Sequence, residues 1–262
     1  MIKKPQKGDR WSREEMILVL NLYFKIPFMK FRTSTPEVKE LARIMGRTDN
    51  TVAIRLSNFA SCDPNLTRRG IKGMNDHVKQ CQPYWDEFAE NRDELIFESE
   101  KILAEYQDTT IEKKFEKELR DIPRDMKGET RIAEVKVRVN QHFFRDMVLT
   151  NYDGKCALTG IDLSDLLVAS HIIPWSANEQ ERLNPANGIC LSSLYDKAFD
   201  CGLISFQNDG HVIFSARLAS NVGKDYYSRY FLPVKDGVLA TPQKYELNPQ
   251  FLEWHRDTIL DR

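Results

Sequence analysis

Between residues 168 and 206 the chain reads VASHIIPWSANEQERLNPANGICLSSLYDKAFDCGLISF, which combines His171, Asn187, Asp196 and Asp200. Hydrolysis of a phosphodiester needs an activated water, stabilisation of charge on the phosphate, and help for the departing 3′ oxygen. A histidine that is neutral near pH 7 supplies the base. Asp196 and Asp200 stand four residues apart, so on a helix they share one face and reach a single hard cation with oxygen ligands. Asn187, at the lip of a strand, can bridge a loop and fix the backbone around His171.

These side chains need elements to hold them. LLVASHII is rich in β-branched residues and reads as a strand, PWSANEQERLNPAN as a long loop, GICL as a second strand, and SSLYDKAFDCG as a short helix ended by Gly202. That order brings the strand histidine opposite the helix carboxylates. Upstream, TRIAEVKVRVNQHFFRDMVLTNYDGKCALTG reads as a helix with Val139, Phe143, Phe144, Met147 and Val148 on its apolar side. Arg145 on that helix is placed to meet a phosphate, and His142 to pack or face solvent. LISF and HVIFS form a hairpin about QNDG, and FLEWHRDTIL closes as an amphipathic helix with Trp254 in a core and His255 near the surface.

The blocks RVNQHFFRDMVLTNYDGKCALTG, ASHIIPW, NPANGICL and LYDKAFDCGLISF, in that order over residues 138 to 206, resemble the HNH or ββα-metal endonucleases, in particular the restriction-type branch. The resemblance implies His171 as general base and Asn187 as the residue that orients loop and base. It places Asp196 at the last metal-ligand position, Asp200 at a second one, and Ser170 where many members carry a metal-binding Asp or His. Tyr195 stands where relatives with an LHDKAFD helix have histidine, at a position that can border the phosphate. One divalent metal per site is implied, Mg²⁺ first and Mn²⁺ or another divalent ion next, with cleavage leaving 5′-phosphate and 3′-hydroxyl ends.

The N-terminal part has a different character. Residues 1 to 80 carry 16 Lys/Arg against 8 Asp/Glu, whereas the whole chain sums to −1. A net of +8 there suggests a polyanionic partner, and the partner expected from the resemblance is double-stranded DNA. WSREEMILVLNLYF opens a helix with a Ser12/Glu15 capping box, and PEVKELARIMGRTDNTVAIRLSNF reads as two short helices joined at Gly46. The polar face of the second presents Asn50, Thr51, Arg55 and Asn58, the layout of a helix-turn-helix that reads a major groove. Arg68, Arg69 and Lys72 in the following basic, glycine-punctuated loop can meet phosphates. This half is more loosely similar to a helical module found before HNH domains in bacterial proteins.

The expected fold is therefore α+β: a helical recognition domain over 1–95, an acidic helical linker over 96–128, and an HNH domain over 129–262. With 41% hydrophobic and 29% charged residues, the chain is expected to be globular rather than disordered. No apolar run approaches the about 18 residues of a membrane span, and a cytosolic location is expected. Cys62, Cys81, Cys156, Cys190 and Cys201 are widely spread with no CxxC pair, so reduced thiols are expected and structural zinc is not. The leading expectation is a restriction or phage-defence endonuclease acting as a homodimer on specific or modified DNA. Its rivals are a DNA-binding regulatory protein that has lost cleavage and a nuclease acting on RNA or on nucleic acid without specificity.

Overall fold

The computed structural model describes every residue except 1–4, 6, 7, 69, 72, 75, 124 and 262. Helices predominate, and a few short strands form two small sheets, giving an α+β chain. It divides into two compact units, Met1–Phe143 and Phe144–Arg262, with the division inside one long helix.

The first unit is built from α1 (Arg13–Lys25), α2 (Pro36–Met45), α3 (Asp49–Ala60), α4 (Pro64–Arg68), α5 (Val78–Phe88), α6 (Arg92–Tyr106), α7 (Ile111–Lys114), α8 (Glu116–Leu119) and the start of α9 (Gly128–Asn151). The Ser12 hydroxyl accepts from the Glu15 amide at 3.2 Å and the Glu15 carboxylate accepts from the Ser12 amide at 2.9 Å, so the capping box starts α1 as expected. From Met16 to Phe24 every residue of α1 is buried, which is what a helix apolar on all sides does: it becomes the centre of its unit. Buried Glu15 is compensated by Arg47 at 2.7 Å. Gly46 closes α2 in the left-handed region (φ 77°), and the Thr48 hydroxyl caps α3 by accepting from the Thr51 amide.

The linker expectation meets a different packing. The boundary at 95/96 falls inside α6, whose Leu95 and Ile102 belong to the core around α1. Of its acidic residues, Asp93 and Glu94 pair with Lys136, Glu98 lies near Arg13, and buried Glu100 pairs with Lys114.

The second unit contains the end of α9, then β1 (Leu167–His171), β2 (Gly188–Ser192), α10 (Ser193–Asp200), β3 (Ile204–Phe206), β4 (Val212–Phe214), α11 (Ala216–Ala219), a π-helical turn over Tyr227–Phe231, and α12 (Pro249–Thr258). β1 and β2 pair antiparallel from Leu167 opposite Ser192 to His171 opposite Gly188, and β3 pairs antiparallel with β4. α12 corrects the sequence expectation. Its buried residues are Phe251, Leu252 and His255, while Trp254 is only half buried. The His255 ring stacks on Phe199 at 3.7 Å, and its Nδ1 bonds the Ser205 hydroxyl at 2.9 Å. The pattern of α12 permits either face inward, and the Phe199 surface selects the histidine. Burial pushes the His255 pKa down to about 4.

Candidate active site

His171 is the last residue of β1 and lies opposite Gly188 of β2. A Cβ at Gly188 would overlap Val148 and the Phe144 ring of α9, so only glycine lets helix and strand come this close. The same approach lays Phe144 flat on the His171 imidazole, centroids 4.0 Å apart and planes 12° from parallel. Trp175 meets the ring edge-on at 5.6 Å. His171 Nε2 lies 2.9 Å from the Arg182 carbonyl, and because a carbonyl only accepts, Nε2 carries the proton. In the neutral ring Nδ1 is then the acceptor. Nδ1 has no partner among the described residues and is not one of the buried unpaired atoms, so it is open to water. Burial lowers the His171 pKa, against a smaller opposing effect of the Arg182 carbonyl, and favours the neutral ring.

The loop between the strands is held by Asn187. Its Oδ1 accepts from the Ile173 amide at 2.8 Å, and its Nδ2 donates to the carbonyls of Ile173 and Glu181, each at 3.1 Å. Asn187 is buried with its side-chain groups all engaged, so it positions the loop that carries Trp175 and Arg182. Arg182 locks the loop further: Nε donates to the Trp175 carbonyl at 2.7 Å, and the guanidinium lies 5.2 Å over the Trp175 ring.

On α10, Asp196 is half buried and Asp200 is exposed. Burial raises the pKa of both, the charge of Asp196 raises Asp200 further, and the Ser170 hydroxyl opposes the rise at Asp196. Ser170 is buried in β1, yet among the described residues its Oγ makes no well-formed hydrogen bond. Its influence on Asp196 is thus one of proximity. Two carboxylates one helical turn apart, one of them half buried near the Ser170 hydroxyl, suit a hard cation whose other ligands come from water and phosphate. Among the described residues no three His, Cys, Asp or Glu side chains gather as a metal-binding group.

Residues 156–207, which span this strand pair, loop and helix, match the family model described as HNH endonuclease. The C-terminal unit carries an HNH domain. No curated protein matches the chain. HNH endonucleases act on nucleic acid and usually use a divalent metal, which is the chemistry for which the His171 and Asp196 surroundings are suited. The matched region leaves the helices of the first unit uncovered.

Several expected contacts are corrected by the packing. Tyr195 in the HNH domain is buried; its hydroxyl donates to the Tyr230 carbonyl and its ring meets Phe231, so it does not border an open phosphate site. Arg145 donates to the carbonyls of Leu167 (2.7 Å) and Ser164 (3.0 Å), clamping the entry to β1. In the first unit, α3 packs against α1, α2 and α5, and the side expected to read bases is partly covered. Arg55 is buried over Trp11 and bonds Gln80, while Asn58 is fully buried and donates to the carbonyls of Met74 and Asp76. Asn50 stays exposed, Thr51 is half buried with its hydroxyl on Thr48, and Arg68 is exposed beside Asn65. Arg69 and Lys72 lie outside the described residues.

Phe144, Trp175 and Arg182 form the immediate surroundings of the histidine, and the sequence reading gave none of them a role at the site. Phe144 is visible only as one more apolar residue of a helix. Trp175, four residues past His171, is the one with a local signal.

Proposed function

We propose that the protein is a divalent-metal-dependent DNA endonuclease with His171 as general base, leaving 5′-phosphate and 3′-hydroxyl ends, and that it serves in bacterial restriction or defence. The observation that carries this reading is the bond from His171 Nε2 to the Arg182 carbonyl. It makes Nδ1 an unprotonated base facing water, while Phe144 and the Asn187-pinned loop fix its aim. Nδ1 takes a proton from the attacking water, the new oxygen–phosphorus bond forms, and the O3′ leaves and is reprotonated. Asp196 and Asp200, with Ser170 alongside, would hold a divalent cation, Mg²⁺ or Mn²⁺, which would supply charge stabilisation at the phosphate and the leaving oxygen.

Recognition is assigned to the helical first unit, with Asn50, Thr51 and Arg68 as the described side chains still placed for DNA, in the cytosol and as a homodimer that cuts both strands. Among the described residues no helix is long and apolar enough to cross a membrane. A second reading, a DNA-binding protein that no longer cuts, is favoured by the sparse ligand set and by serine at position 170.

The test incubates the protein and its His171→Ala variant with modified and unmodified phage and plasmid DNA and with RNA, in Mg²⁺, Mn²⁺ or EDTA. Discrete metal-dependent DNA fragments, lost in the variant, are expected. Binding without cutting of any substrate selects the second reading, and preferential RNA cutting replaces the substrate.

A further inference from the structure

Four arginines of the second unit are engaged by the fold, whereas the cations of residues 224–235, like Lys155 and Lys197, are exposed. Arg145, Arg182, Arg217 and Arg256 are engaged inside the unit, on main-chain carbonyls and, for Arg182 and Arg217, on Glu179 and Asp261. Arg229 and Lys235 are exposed, and their side chains have no partner among the described residues; exposed Lys224 is held only by Asn221 and the ring of Tyr226. Residues 144–262 carry 11 Lys/Arg against 15 Asp/Glu, yet residues 224–235 reverse that balance with three bases and one acid.

The same segment displays aromatic rings. Tyr226 and Tyr230 are 43% and 50% exposed, while Tyr227 and Phe231 are buried against Phe214 and anchor the turn. The turn is joined to the catalytic helix, because the Tyr230 carbonyl accepts the hydroxyl of Tyr195, the residue before Asp196. Exposed rings interleaved with unpaired cations match a polynucleotide strand, whose phosphates take the charges and whose unpaired bases stack on the rings.

We propose that residues 224–235 form a strand-binding platform for unpaired nucleotides flanking the phosphate to be cut, with Arg229 and Lys235 on phosphates and Tyr226 and Tyr230 stacked on bases. The proposal rests on the nuclease reading and adds to it a preference for single-stranded or locally opened substrate.

The test measures binding of a short fluorescent oligonucleotide, single-stranded or as a duplex, to the full chain carrying His171→Ala, over a series of salt concentrations. Tyr230→Ala, which keeps the carbonyl used by Tyr195, is expected to weaken single-strand binding about tenfold, and Tyr230→Phe to restore it. Arg229→Gln is expected to reduce the slope of log affinity against log salt by about 0.7. Parent-like binding by Tyr230→Ala and Arg229→Gln across the series overturns the platform, as does a Tyr230→Phe variant as weak as the alanine one. Cleavage assays of the same variants with His171 intact separate the two readings. If the parent cuts DNA and these variants bind and cut like it, the platform falls and the nuclease stands. If the parent neither binds nor cuts any polynucleotide, both fall.

Discussion

Asn58 and Asn187 are the same residue in the same situation, one in each unit. Both are buried, and both donate through Nδ2 to two main-chain carbonyls of a distant loop. Their neighbourhoods differ. Around Asn58 the polar groups turn inward: Arg55 is under Trp11 and on Gln80, Asn58 Oδ1 is buried with no partner among the described residues, and the region is a closed joint between α3 and the segment before α5. Around Asn187 some capacity stays unused and reachable: His171 Nδ1 has no partner among the described residues, and two carboxylates of α10 are held with raised pKa. Polar residues in a core mark function only where the packing leaves some of them unsatisfied and reachable.

The sharpest way to break this contrast is at the base itself. His171→Ala is expected to lower the cleavage rate by about 10² to 10⁴-fold while substrate binding persists, measured under single-turnover conditions. Retention of the parent rate would make the open Nδ1 incidental and leave the two asparagine sites equivalent.

Next come the asparagines. Asn187→Ala strands the Ile173 amide and two carbonyls, and is expected to destabilise the HNH domain by about 3 kcal/mol and slow cleavage even at temperatures where it stays folded. Asn58→Ala is expected to destabilise the first unit by about 2 kcal/mol in urea unfolding, with the cleavage rate of the folded protein unchanged. Equal catalytic losses in the two variants would remove the distinction.

A comparable test within the second unit uses His255. Its folded pKa of about 4 lies below the ordinary imidazole value, so the contribution to stability is complete above about pH 6.5 and is lost as pH falls towards 4. The loss is expected to reach about 3 kcal/mol, on the order of the full shift, and to vanish in His255→Gln when unfolding is followed from neutral to acid pH. A parallel pH dependence in the two proteins would show that the buried ring does not govern the acid limb. The smallest effect is expected from Tyr195→Phe, about 1 kcal/mol of stability and no change in cleavage rate, because its hydroxyl serves the Tyr230 carbonyl. A large fall in cleavage would return Tyr195 to the phosphate.

Much of the element order was legible in the sequence because its causes are local. The Ser12/Glu15 box, Gly46, Thr48, the β-branched run before His171 and the helix ended near Gly202 act through neighbours a few residues away. The facing of helices was less legible. The polar side of α3 was taken for a surface because Arg and Asn are usually exposed, but Trp11, Gln80 and the carbonyls of Met74 and Asp76 come from separate parts of the chain and cover it. Acidic α6 looked like a spacer because of its many charged residues, although Leu95, Ile96, Phe97, Ile102 and Ala104 are buried.

The sequence by itself determined the reactive types and their order: His171 at a strand end, Asn187 before a glycine, and Asp196 and Asp200 one helical turn apart. Spacing along one chain is enough for that, since strand and helix periods are fixed by the backbone. Only the tertiary structure decided which imidazole nitrogen holds the proton, which guanidinium groups are engaged, and why Gly188 must lack a side chain. Each of those depends on a partner brought close by packing: Arg182 beneath His171, Ser164 and Leu167 at Arg145, Phe144 against Gly188. Hydrogen-bond use and close approach are properties of pairs distant in sequence, and no local pattern encodes them.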